Sequence, residues 1–235
     1  MARPLPQFLT RSLPERLHVG IFKDPASAWT HFLGLLAAVV ATTVLVRRAG
    51  MDGPKAAGMM IYGGALIAVF LASSLYHFFD AGERGNRWLR RLDHSAIFLM
   101  IGGTAVPILL HLLDGNTRLA TLGLVAAFAV GGSLLKVFWI ESPEWLGLAL
   151  YFGMSFVVLG STVRMLPHLS SESFRLLVGG AAAYALGAVV YARRWPDPWP
   201  GAFGHHEVWH LFVLAGAGAH FAFTYTLLGF PYRPL

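Results

Sequence analysis

The sequence predicts an all-α integral membrane protein: a bundle of seven transmembrane helices, with the N-terminus in the cytoplasm and the C-terminus outside. Three observations predict it. Of the 235 residues, 56% are hydrophobic and only 13% charged, with a mean hydropathy of +0.59, whereas a soluble domain is about one-quarter charged. Seven apolar stretches approach the ~20 residues that a helix needs to cross a bilayer core. The polar connectors between them are short, and Trp29, Trp88, Trp139, Trp145, Trp195 and Trp199 fall at or near stretch ends, as interfacial indoles do. Barrel strands would be half as long and would alternate, so helices are the spanning element that satisfies the backbone inside lipid.

The elements follow in order. Residues 1–26 form a cytoplasmic juxtamembrane segment; Pro4, Pro6 and Pro14 interrupt it before any continuous apolar core, so no cleavable signal is expected. The first span, 27–46, stops at Arg47 and Arg48; the second, 56–79, starts after Lys55. A polar connector, 80–91, leads to the third span, 92–113, in which Pro107 is expected to introduce a kink. Residues 114–117 separate it from the fourth span, 118–139, and Glu141, Ser142, Pro143 and Glu144 separate that from the fifth, 145–166. The sixth, 174–192, and the seventh, 204–229, are divided by the run from Arg193 to Pro200, and 230–235 is a short outer tail. Connectors this short make neighbouring helices antiparallel. Gly102 with Gly103, Gly131 with Gly132, Gly179 with Gly180, and Gly216 with Gly218 are read as points of close helix packing.

Composition also excludes. With no cysteine there is neither a disulfide nor a thiolate ligand, and a bound metal must be held by nitrogen and oxygen. The net charge of +6 does not point to nucleic acid, because Lys and Arg sit in the connectors, where they set topology and meet anionic lipid. Eleven of the 18 fall on one side: Arg3, Arg11, Arg16 and Lys23, then Arg84, Arg87, Arg90 and Arg91, then Lys136, then Arg193 and Arg194. That side is assigned as cytoplasmic.

With this topology four polar residues gather in one leaflet. His206 and His210 stand four apart at the start of the seventh span and share a helical face, while His77 closes the second span and Asp93 opens the third. Ionisable groups in spans are costly and usually functional, and three imidazoles leave a metal ion a further position for water. The competing reading for the pair is two interfacial histidines bonded to carbonyls. Ser73, one turn before His77, is a catalytic candidate that lies behind the ligands or helps to hold a developing oxyanion, or else it bonds its own helix carbonyl. His31 is a candidate for contact behind the ligands or with a lipid headgroup. His94 and His205 neighbour the site but point about 100° away from the adjacent site residues, and His220, ten residues beyond His210 and roughly 15 Å along the helix, is too distant. His111 and His168 are expected to be solvated or interfacial on the outer side, and His18 to precede the membrane. Glu207 points off the ligand face, and the order of the zincin motif His-Glu-x-x-His is not kept.

Three blocks carry a family resemblance: Ser73, Ser74, Leu75, Tyr76 and His77; Leu92, Asp93, His94 and Ser95, with Gly103, Thr104, Ala105, Val106 and Pro107 further on; and Gly204, His205, His206, Glu207, Val208, Trp209 and His210. Together they resemble the bacterial hemolysin III family, the prokaryotic branch of the progestin and adiponectin receptor proteins, within a superfamily that includes alkaline ceramidases. The resemblance covers all seven spans. It implies a zinc ion held by His77, His206 and His210, with Asp93 at or near its water and Ser73 beside the first ligand. It also implies residence in the bacterial inner membrane.

Zinc lowers the pKa of a bound water, and a nearby carboxylate can accept the proton, a role that falls to Asp93. The function expected is a zinc-dependent hydrolase of a lipid amide or ester, its partners being membrane lipids and its acyl ligand lying among the helices. The alternative is a receptor-like or regulatory protein with structural zinc. Cytolysis is disfavoured, since a secreted pore former needs a soluble state.

Overall fold

A computed structural model describes residues 23–229, apart from the side chains of Arg164 and Met165. The expectations for 1–22, His18 among them, and for the tail 230–235 lie outside the described residues. Among the described residues there are seven α-helices: α1 (Pro25–Ala49), α2 (Gly53–Phe78), α3 (Gly82–Leu112), α4 (Gly115–Phe138), α5 (Glu144–Thr162), α6 (Ser171–Arg193) and α7 (His205–Leu227). A 3-10 segment, Val163–His168, follows α5. Helices α1 to α6 are each long and apolar enough to cross a membrane. α7, with 23 residues, is as long as α6, but His205, His206, His210 and His220 dilute its apolar run.

Local signals set the ends. α1 stops at Gly50, whose φ of +66° is a conformation that glycine adopts without steric cost. α2 starts with Asp52 accepting from the Lys55 amide and with proline in its first turn. At α7 the Glu207 carboxylate turns back and accepts from the Gly204 amide at 2.8 Å, fixing the turn that carries the histidine pair.

One element departs from the sequence expectation. α3 begins at Gly82 rather than at 92, so most of the expected connector 80–91 is helix. Hydropathy marks where a chain enters lipid, and a polar stretch such as Glu83 to Arg91 can be helical in water. Its entry turn is tied by Asn86, which donates to Asp80 at 2.7 Å and accepts from the Ala81 amide at 3.0 Å.

α3 organises the packing. Three buried clusters each include it: Ala96 and Met100 with Tyr62, Phe70 and Val213; Phe98 and Leu109 with Val125 and Met154; and Ile108 and Leu112 with Phe223 and Leu227. α1 and α3 lie along α2, α4 along α3, and α6 along α7, while α1 also meets α7. Glycine permits the closest approaches. A Cβ at Gly34 would stand 2.7 Å from Leu214 and 2.9 Å from Phe70, and a Cβ at Gly132 would meet the Phe98 ring. Gly131, Gly179 and Gly218 face open space, so only one glycine of each of those sets serves close packing.

Of the two expectations for His111, solvated or interfacial, the first does not hold: it is buried, only 4% exposed, and its Nδ1 donates to the Pro107 carbonyl at 2.7 Å. The cause is tertiary: the end of α3 is enclosed by its neighbours. His168 is exposed.

Candidate metal centre

The start of α1, the end of α2 and the start of α7 meet at one end of the bundle. Here His77, His206 and His210 converge, each offering one ligand atom, with the three atoms all within 4.8 Å of one another. Their ring centroids form a triangle with sides of 5.1, 5.0 and 4.6 Å. His77 and His210 are buried, His206 half-buried.

The donor set fits a metal ion of zinc's class. His77 Nε2 and His206 Nε2 are 3.3 Å apart; two imidazole nitrogens bound tetrahedrally at zinc's usual bond length stand roughly 3.3 Å apart. His210 is 2% exposed, so a ring nitrogen turned into the cluster needs a partner there. Neutral nitrogen donors suit zinc and its transition-metal neighbours better than magnesium or calcium.

A carboxylate that the sequence reading left in the juxtamembrane segment touches the cluster. His77 Nδ1–H donates to Asp24 Oδ2 at 3.0 Å, the Asp24 side chain being 9% exposed. The backbones are paired as well: the Asp24 amide donates to the His77 carbonyl at 3.0 Å and the Lys23 amide to the Phe78 carbonyl at 3.3 Å. Lys23 Nζ lies 3.4 Å above the Tyr76 ring.

Ser27 and His31 continue along the same helical face from Asp24, at i+3 and i+7. Ser27 donates to Glu207 Oε1 at 2.8 Å. His31 stacks on His210, centroids 3.7 Å apart with planes inclined by 12°, and its Nδ1 is hydrogen-bonded to Ser73 Oγ at 2.7 Å. The expectation of His31 behind the ligands describes where it lies. Ser73 bonds across helices, and Ser74 is the serine that donates to its own helix, at Phe70 O.

Asp93 is half-buried on α3 and does not belong to the set of mutually close ligand atoms. It interacts electrostatically with His94, with Tyr151 on α5 and with Tyr191 on α6. The Tyr191 ring is 6.1 Å from that of His206. Glu207 accepts from the Ser27 hydroxyl and from the Gly204 amide. His220 lies deeper, its Nε2 3.3 Å from the Leu177 carbonyl and its ring against Gly180.

The missed contact had a sequence signal. Asp24, Ser27 and His31 form a polar stripe at the entrance to an apolar helix, a face unsuited to lipid. The span expected from hydropathy starts at 27, so Asp24 falls outside it.

A bundle of long apolar helices with an intramembrane-type histidine cluster at one end defines a multi-pass helical membrane protein with a site able to hold a metal ion. The chain belongs to the haemolysin-III-related family, whose model matches residues 19–221. It is 29% identical over 201 residues to "Hemolysin-3" of Bacillus cereus, covering 85% of this chain and 89% of that protein. It is 30% identical over 203 residues to "Hemolysin-3 homolog" of Bacillus subtilis (strain 168), covering 86% and 92% respectively. The similarity extends to eukaryotes: "Adiponectin receptor protein" of Drosophila melanogaster is 25% identical over 221 residues, 86% of this chain and 50% of that one.

Proposed function

We propose that the protein is a zinc-dependent hydrolase of a lipid amide or ester in the bacterial inner membrane. The observation that carries this reading is the convergence of His77, His206 and His210 at one end of a helical bundle. α7 completes a seven-crossing topology, supported by its 23-residue length and its packing against α1, α3 and α6. The excess of Lys and Arg orients the cluster toward the cytoplasm.

Zinc bound by the three imidazoles would supply a Lewis acid and a water of lowered pKa. The chain's own groups do the rest. Asp93 would be the carboxylate that takes up a proton and returns it to the leaving group. With His31 Nδ1–H donating to Ser73 Oγ, the Ser73 hydroxyl proton would be left for a developing oxyanion. The acyl chain lies among apolar side chains, while the polar bond stays at headgroup depth.

Purified zinc-loaded protein is expected to release fatty acid from an amide- or ester-linked lipid, with release abolished by Asp93→Ala and by metal removal. Protein carrying one zinc per chain that stays inert across both lipid classes would overturn the reading.

One observation favours a second reading, a regulatory protein with structural zinc: the Ser73 hydroxyl is engaged by His31, and Asp93 stands outside the ligand set. On that reading Asp93→Ala spares the lipid composition of cells, while His77→Ala destabilises the fold.

A further inference from the structure

We infer that Asp24 is the positioning carboxylate of the metal centre, holding His77 in the tautomer and orientation that direct its Nε2 at the ion. The inference rests on the three histidines binding a divalent metal and adds the partner that sets the affinity of one of them.

The argument starts from the two nitrogens of one ring. His77 is 2% exposed, so both nitrogens need partners inside the protein. Nδ1 has Asp24 Oδ2 at 3.0 Å, and Nε2 faces His206 Nε2 at 3.3 Å. A carboxylate only accepts, so the proton sits on Nδ1 and the lone pair of Nε2 points into the cluster. A carboxylate on the far nitrogen also makes the imidazole a stronger donor to a metal.

Asp24 is itself fixed. It precedes α1, and its amide donates to the carbonyl of the same His77 whose side chain it accepts from, so backbone and side chain are gripped together. The neighbouring Lys23 amide bonds Phe78 O, and Trp29 and Phe32 pack on Phe78 with ring centroids 5.3 and 5.9 Å away. Gly34 lets α1 approach Phe70 of α2 and Leu214 of α7 closely enough to hold this register. Asp93 cannot take the role, because the Nδ1 position of His77 is occupied from the α1 side.

The test is binding of Co²⁺ to the full-length protein in detergent, by chelator competition and by the visible absorption of the bound ion, beside thermal unfolding of the metal-free protein. Asp24→Ala should weaken Co²⁺ binding roughly 10- to 100-fold and alter the absorption band. Asp24→Asn keeps an acceptor oxygen but no charge, and should fall between Asp24→Ala and the wild type. Thr30→Ala, which removes a hydroxyl bonded to the helix's own carbonyl at Ala26, should bind as the wild type does.

If Asp24→Ala does not fold, Asp24→Asn decides by the same measure. Affinity and absorption unchanged in the folded Asp24 variants, with only the metal-free protein melting earlier, would overturn the inference and leave the metal centre standing. Equal weakening by Thr30→Ala would also overturn it, since general loosening of α1 would then be the cause. Wild-type protein that binds no Co²⁺ and no Zn²⁺ would overturn this inference and the proposed function together.

Discussion

His77 and His111 close consecutive antiparallel helices, α2 and α3, at opposite ends of the bundle, and both are buried. Their Nδ1 atoms differ in partner. His111 donates to a carbonyl one turn back in its own helix, at Pro107, whereas His77 donates to a carboxylate 53 positions away in sequence. A bond within one helix forms wherever that helix forms. A bond between helices exists only if the bundle is assembled in one register, so it marks a constellation specified by the whole fold. The same contrast separates larger regions. Around the histidine cluster, side chains meet between helices: Asp24 with His77, Ser27 with Glu207, His31 with Ser73. On α5, Ser155 and Thr162 donate to carbonyls of their own helix.

The largest expected effect would break the comparison at its centre. His210→Ala removes a ligand and should weaken zinc binding by more than the roughly 10- to 100-fold typical of losing an outer partner. His111→Ala should leave the zinc content of purified protein unchanged. Metal analysis of the two variants side by side checks this, and equal zinc loss in both would show that the variants perturb the bundle and not the site.

Next in size is Asp93→Ala. If Asp93 moves a proton, turnover should fall roughly 10²- to 10⁴-fold with the metal still bound. Fatty-acid release and zinc content measured on the same sample separate this from ligand loss. Unchanged turnover would assign proton transfer to another group.

How much of this was legible in the sequence depends on distance along the chain. His206 and His210 are four apart, and helical geometry alone puts them on one face. His77 joined them because apolar runs and short connectors determine which helix ends meet. Asp24 was not legible in that way. The stripe of Asp24, Ser27 and His31 marks a face turned from lipid, but which residue Asp24 meets depends on the register of α1 against α2, set by Gly34 against Phe70 and Leu214. The burial of His111 was illegible for the same reason, since it comes from neighbours and not from its own segment. The early start of α3 was illegible for another: a charged stretch can be helical without being in lipid.

A third effect tests packing away from the site. A methyl group at Gly132 would run into the Phe98 ring, while one at Gly131 meets nothing within 4 Å. Gly132→Ala should destabilise the α3–α4 interface by about 1–3 kcal/mol. Gly131→Ala should be neutral or stabilising by up to about 1 kcal/mol, as for glycine replaced by alanine inside a helix. Thermal unfolding in detergent reads both, and similar melting of the two would mean that Phe98 yields to the added methyl.

The last pair of substitutions, which includes the smallest effect, probes the hydroxyls. Ser27 is fully buried, and Ser27→Ala leaves Glu207 Oε1, on a residue 7% exposed, without its 2.8 Å donor. An acceptor left so should cost about 1–3 kcal/mol. Ser155 is exposed and bonds Tyr151 O at 3.0 Å, a carbonyl already serving the helix, so Ser155→Ala should shift stability by less than about 0.5 kcal/mol. The two substitutions remove the same atom from the same residue type, and differ in whether the partner lies on another helix or on the serine's own. Comparable losses would mean that the helix-to-helix bonds around the cluster add no more than local ones, and the contrast between the two regions would then lie in the histidines alone.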